Sequence, residues 1–526
     1  MIIGCNTNKQ QQQLDLRLGK LSVENVADYC YLGLIINESG SFKNAQATLK
    51  NKAMRAFFGL KRTVDRSKIS FQAANTLFDS LIKPITLYGA PIWLPTSPII
   101  KNILSAINNN PENLSKITTK IVRTPCERVH LSFLRWSLGV HKKSSTIGLW
   151  GESGRFPLIY QSLKLTLSYF KRILNSNKNS LVYAALTEQI RLNLPWYKNV
   201  EGLAKLDEIY DKNEISAFKI INKDRPLKMK LLNNAKERVY SHDSLRLREQ
   251  LSHLRTATPI SSKQFRIPVT LEKLRNHFVR CWEFEKSNSK KLALFYDEVK
   301  QSFGREQYLD NVDNPASRYS TTKIRISAHD LEIEIGRYKN IPRDKRICKW
   351  CELTLGTDAI EADKHLNFIE NENHVLFKCD LYSDLRQKLI RVLKNAPVSN
   401  YPNVNITHNT IKDLNQHNIQ TRFFTLQSNP ENFFEDQSTS PIPNKTQNAL
   451  PHFQQHSNPN QTNKHIHNPN TKSKSTSNSH YTPPSNDHTR QIRSYIHNTL
   501  STFMKDCLKK RKKFLEELKS KETPAP

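Results

Sequence analysis

Several things are scarce in this chain. Nowhere in its 526 residues do two aspartates stand side by side. No run of about 18 apolar residues occurs, which excludes an ordinary membrane-spanning helix. Glycine is limited to 14 residues, and neither G-x-x-x-x-G-K-[ST] nor G-x-S-x-G appears. That argues against a phosphate-cradling loop and against a nucleophile elbow. The apolar share is 37%, below the usual range of about 45–50%, so part of the chain is expected not to pack. The N-terminal "MIIGCNTNKQQQQ" turns polar after three apolar residues, too short for a signal-peptide core. Acidic residues are the minority sign, 48 against 80 basic, leaving a formal charge of +32.

That excess of cations implies a polyanionic partner, because lysine and arginine release counterions from phosphate backbones. A membrane surface or a merely solvated basic surface is the alternative. The 8 cysteines are scattered except at one place. This suits a reducing, intracellular compartment, nucleus or cytoplasm, with clustered cysteines binding metal instead of forming disulfides.

The periodicity predicts a mainly helical protein. Residues 1–42 read as short strands, with Tyr31, Leu34, Ile35 and Ile36 followed by the turn signal Glu38-Ser39-Gly40. Over 43–62, Leu49, Ala53, Ala56, Phe57 and Leu60 mark one apolar helix face, with Lys43, Lys50, Lys52, Arg55, Lys61 and Arg62 mostly off it. Those cations form either a solvated stripe or a phosphate-facing surface. A second helix is expected over 67–83, with Ala74, Leu77, Phe78 and Leu81 inward and Pro84 as its stop. "NNNPEN" (108–113) reads as a loop, Pro125 opens another helix, and 157–300 reads mostly helical. After Pro397 the chain turns to Asn, Ser, Thr, Gln, His and Pro, so 396–488 is expected to be disordered. Its histidines, His465 and His467 among them, read as compositional. Residues 489–526 regain helical spacing at Ile492, Tyr495, Ile496, Leu500, Phe503, Met504 and Leu508, ending in "KKRKK" (509–513). That basic patch could contact nucleic acid, serve as a nuclear-import signal or simply be solvated, and such a helix can also lie on a membrane or bind a partner.

One stretch carries metal chemistry. Cys348 and Cys351 stand two residues apart, and His374 and Cys379 follow, giving C-x2-C-x22-H-x4-C. Three cysteines and one histidine make a closed tetrahedral structural zinc set with no open position for catalysis. The alternatives are three unrelated buried cysteines, or His365 as the nitrogen ligand. Lys345, Arg346, Lys349, Trp350, Lys378 and Arg386 surround the set. A basic module with an aromatic tip suits single-stranded nucleic acid.

In this order, "YCYLGLIINESGSF", "LKNKAMRAFFGLKR", "LFDSLIKPITLYGAPIW", "ERVHLSFLRWSLGV", "GESGRFPLIYQSL", "KIRISAHDLEIEIGRYKNIPRDKRICKWC" and "ENHVLFKCDLYSDLR" resemble the region after the palm of LINE-type (non-LTR) retrotransposon reverse transcriptases. The resemblance covers about 29–390. It implies a primer-grip-like hairpin over 1–42 with Tyr31-Leu32-Gly33 near it, and a thumb-like helical region over 43–163. A helical C-terminal region over 164–340 and a Cys-Cys-His-Cys zinc module over 341–395 would follow. A linker (396–488) and a basic helix (489–526) would complete the chain. Pro91 replaces a glutamate frequent in that family. The adjacent aspartates that hold two Mg²⁺ ions in such polymerases are absent, so no bound Mg is expected. The resemblance implies a nucleic-acid-binding remnant, with RNA template or DNA as partner, that is not an enzyme as it stands. A missing polymerase domain supplied in trans is one alternative, and an interaction protein using the terminal helix is another.

Overall fold

The computed structural model describes residues 17–22, 26–107, 114–204, 206, 267–289, 291–293, 295–356, 360, 367–394, 423 and 486–522. The architecture is mainly helical. Two short antiparallel hairpins open it. The first pairs β1 (Arg17–Leu18) with β2 (Leu21–Ser22), the second β3 (Asp28–Tyr31) with β4 (Leu34–Asn37). The second turns at Leu32-Gly33, both with positive φ, the geometry of a tight two-residue hairpin turn. The hairpin expected within 1–42 is therefore present, its turn at Leu32-Gly33. Tyr88 Oη donates to the Leu32 carbonyl at its tip.

The helix Lys43–Thr63 confirms the expected stripe, with Leu49, Ala53, Phe57 and Leu60 buried and Ala56 half-buried. The next helix departs from expectation. Phe71–Leu77 passes into a π-helical turn, Phe78–Ile82, and continues as Lys83–Thr86. Pro84 does not stop it. Proline has no amide to donate and its ring crowds the preceding turn, and the wider π turn directly precedes it. The turn also shifts the inward register: Ile82 is buried, while Leu81, expected inward, is 53% exposed.

One apolar core runs from this region through the helices Pro125–Ser137, Leu158–Leu174 and Ile267–Ser287 to the segment that carries Cys348, Cys351 and Cys379. The expected boundary at 163/164 falls inside the helix Leu158–Leu174. Buried polar groups tie the core together. Glu127 accepts from Trp150 Nε1 at 2.9 Å and the Leu158 amide at 2.7 Å. Glu152 accepts from Arg325 Nε at 2.8 Å and Tyr308 Oη at 2.7 Å. Arg325 also reaches Glu306 at 2.7 Å.

The terminal helix, Asn486–Glu522, is not a separate appendage. Ile496, Leu500, Phe503, Met504 and Cys507 are buried, and it packs on the helices Pro315–Arg325 and Ser383–Lys394. Tyr495 Oη donates to the Val392 carbonyl at 3.0 Å, and Asn498 Nδ2 to the Asn311 carbonyl at 3.0 Å. Most of 396–488, expected to be disordered, lies outside the described residues. So do residues 108–113 and most of 205–266. Phe423 is described and buried, with its ring 5.3 Å from Phe377 and 6.1 Å from Phe503. Among the described residues no helix is long and apolar enough to cross a membrane.

Candidate metal centre

Cys348 caps the short helix Lys349–Leu355, and Cys351 lies in its first turn. The segment before it is pinned to the segment before His374. The Cys348 amide donates to the Phe368 carbonyl at 2.8 Å, and the Glu370 amide to the Arg346 carbonyl at 2.9 Å. His374 opens a π-helical turn, His374–Lys378, and the Cys379 amide donates to the His374 carbonyl at 2.8 Å. This closes the chain so that both halves of the motif meet.

Cys348, Cys351, His374 and Cys379 are all buried, and their ligand atoms lie within 4.8 Å of one another. Cys348 Sγ is 3.9 Å and Cys351 Sγ 3.8 Å from Cys379 Sγ, and Cys351 Sγ is 3.4 Å from His374 Nε2. A tetrahedral ion with metal–sulfur bonds of about 2.3 Å places its sulfurs about 3.8 Å apart and sulfur about 3.5 Å from nitrogen. The spacing fits one ion, and these four side chains could hold it.

The imidazole is prepared for that role. His374 Nδ1 lies 2.9 Å from the Asn367 carbonyl. A proton on Nδ1, donated to that oxygen, leaves the Nε2 lone pair for the centre. Burial, opposed by the Asn367 bond, holds the ring below the usual histidine range, in the neutral ligand form. The thiols crowd one another. Cys351 lowers Cys348, but Cys379 and burial outweigh it and push the thiol up to about 12. Cys348 and burial push Cys351 up to about 12 against the influence of Cys379. Cys348 lowers Cys379, while Cys351 and burial raise it, to about 12. A bound cation is what would make these sulfurs thiolates. Tyr382, three residues past Cys379, buries a hydroxyl that has no hydrogen-bond partner.

The basic residues expected around the motif sort differently. Lys349 is exposed and pairs with Glu352 at 2.7 Å. Lys378 is exposed and reaches Asn367 Oδ1 at 3.2 Å. Trp350, expected as a stacking tip, is half-buried, with its ring 5.3 Å from Phe514 of the terminal helix and nearly perpendicular to it. Arg386, expected on the nucleic-acid face, is wholly buried. Both corrections have one cause: the terminal helix covers that side of the module. It does so through Arg511, the middle of "KKRKK", which is buried and pairs with Glu370. Lys510 pairs with Asp384 at 2.6 Å. His365 lies outside the described residues.

On the helix Lys43–Thr63, Lys43, Lys52, Arg55, Lys61 and Arg62 are exposed and Lys50 is half-buried. Phe58, not singled out by sequence, is 48% exposed. Lys61 Nζ lies 5.7 Å from the ring centroids of both Phe57 and Phe58. Arg55, Phe58 and Arg62 follow at steps of three and four residues, directly opposite the buried stripe. The signal was present: Phe58 falls outside the apolar face. Tyr29 and Tyr31 on the second hairpin are exposed as well.

No protein-family model matches the chain, and neither a curated protein nor a solved structure does.

Proposed function

We propose that the protein binds nucleic acid largely without sequence preference, and that its metal centre is structural zinc. The observation that carries the reading is the outward row Arg55, Phe58 and Arg62, flanked by exposed Lys43, Lys52 and Lys61, in a chain of formal charge +32. Cations that follow a phosphate backbone around an exposed ring supply charge and stacking together. The resemblance to the thumb and C-terminal region of non-LTR reverse transcriptases supports the same partner, RNA template or DNA.

The Cys₃His set is the donor set of closed structural zinc sites. Four protein ligands leave no vacant position, so the centre folds the module and does not activate water. With no adjacent aspartates in the sequence, polymerisation is assigned to no residue of this chain. The purified protein incubated with Mg²⁺, nucleotides and a primed template is expected to yield no extension, and extension by this chain alone would contradict that assignment. Extension only after a palm fragment is added would instead make the chain an accessory polymerase part.

Binding to a labelled oligonucleotide tests the main reading. Affinity on the order of 10⁻⁴–10⁻⁶ M at physiological salt, falling steeply as salt rises, is expected. An isotherm indifferent to salt would refute it.

A further inference from the structure

Arg386 lies seven residues past Cys379, on the helix Ser383–Lys394. Its side chain is completely buried, yet none of its three guanidinium nitrogens has a hydrogen-bond partner. The acids of its own segment do not serve it: Asp384 pairs with Lys510 at 2.6 Å, and Asp380 is exposed. A desolvated, unpaired guanidinium is costly, and a core retains one only where another charge compensates it. Tyr382, one turn nearer Cys379, strands its hydroxyl in the same way. Two donors without acceptors therefore follow the last cysteine of the centre on the same segment.

The arithmetic of the centre supplies what they lack. A divalent cation, three thiolates and a neutral imidazole sum to one negative charge. We infer that Arg386 is the counter-charge of the metal centre, a positioning residue whose guanidinium neutralises the metal-bound thiolates. The inference rests on the metal reading above. The charged and titratable groups facing Arg386 agree with it. Burial pulls the guanidinium down, while Cys507 and Cys379, then Asp380 and Asp384, pull it up. Arg386 in turn depresses His374. Cys507, on the terminal helix, does not compete as an anion, because burial pushes its thiol up.

The effects of removing the charge then have opposite signs. With zinc bound, Arg386→Met leaves an uncompensated anion. Without zinc, the same substitution removes an uncompensated cation. Zinc affinity of the full-length chain, measured against a competing chelator, is expected to fall about 10–100-fold in Arg386→Met, as for other residues behind metal ligands. The zinc-stripped variant is expected to melt above the zinc-stripped parent, and Arg386→Lys to recover most of the affinity. Affinity within about twofold of the parent, or a drop in both affinity and zinc-free stability, would overturn the inference. Should Arg386→Met fail to fold, Arg386→Gln carries the same comparison with its polar bulk kept. A parent chain that binds no zinc overturns the metal reading itself, whereas a parent that binds zinc alongside an indifferent variant overturns only the role of Arg386.

Discussion

Arg511 on the terminal helix and Glu370 in the metal-ligand segment form a buried two-pronged ion pair, Nε to Oε1 at 2.7 Å and the second guanidinium nitrogen to Oε2 at 2.6 Å. The two residues are 141 positions apart. Glu370 belongs to the strip that pins Cys348, so the pair ties the C-terminal end of the chain to the metal module.

Breaking that pair is expected to release the terminal helix. Arg511→Ala leaves Glu370 buried without its counter-ion, a loss of about 3–5 kcal/mol for pairs of this kind. Hydrogen exchange should show protection lost over 495–515 before the helix Lys43–Thr63 opens. Trp350→Ala, which removes the contact with Phe514, should act in the same direction more weakly and leave oligonucleotide affinity unchanged. Undiminished protection in Arg511→Ala would contradict the tie.

The outward face of Lys43–Thr63 makes a different prediction. Arg55→Ala and Arg62→Ala should each lower affinity for duplex DNA and flatten its dependence on the logarithm of salt by about 0.9 per lost phosphate contact. Phe58→Ala should weaken binding to single strands by about 1–3 kcal/mol if its ring stacks on a base. Binding titrations at several salt concentrations separate the two effects. Slopes unchanged in both arginine variants would move the interface elsewhere.

Gly154 follows the helix Thr146–Ser153 with φ at +62°, and a Cβ built there would come within 2.2 Å of the Arg305 backbone nitrogen. Its neighbour Ser153 bridges to Arg305. Gly154→Ala must move backbone and also strain its own φ. A loss of at least about 2 kcal/mol is expected in denaturant unfolding.

Acid should destabilise the fold in a definite window. Burial, then Arg280, lowers His277 to about 4, and burial, then Arg325 and Arg493, lowers His497 to about 3. The unfolded chain takes up these protons near pH 6.5 and the folded chain resists them, so stability is full above pH 6.5 and declines as pH falls toward 4. Glu372, buried against its own ionisation but held low by His329 and then Ser327, adds a further loss below pH 4.5. Thermal melts from pH 8 to 4 should show this decline, and His497→Gln should make it shallower. A pH-independent melt would refute it.

The inward stripe of Lys43–Thr63 was legible because local periodicity alone decides which face a helix buries. The Cys348, Cys351, His374 and Cys379 cluster was legible because its residue types and paired spacing are those a four-ligand metal site requires. Trp350 and Arg386 were not, because the helix that covers them lies more than a hundred residues further on and has no local signature near them. The charge of "KKRKK" suggested a free basic patch, but Arg511 is consumed by Glu370, a partner visible only in three dimensions. Pro84 misled for a related reason, since the π turn that accommodates it is not encoded by the proline itself.

One ion is expected to close Cys348, Cys351, His374 and Cys379 into a structural centre. The decisive measurement is bound zinc per chain in the purified full-length protein, beside Cys348→Ser and His374→Ala. One zinc in the parent is expected, lost in both variants together with cooperative unfolding of the module. No zinc in the parent, or the same content in all three proteins, would contradict it.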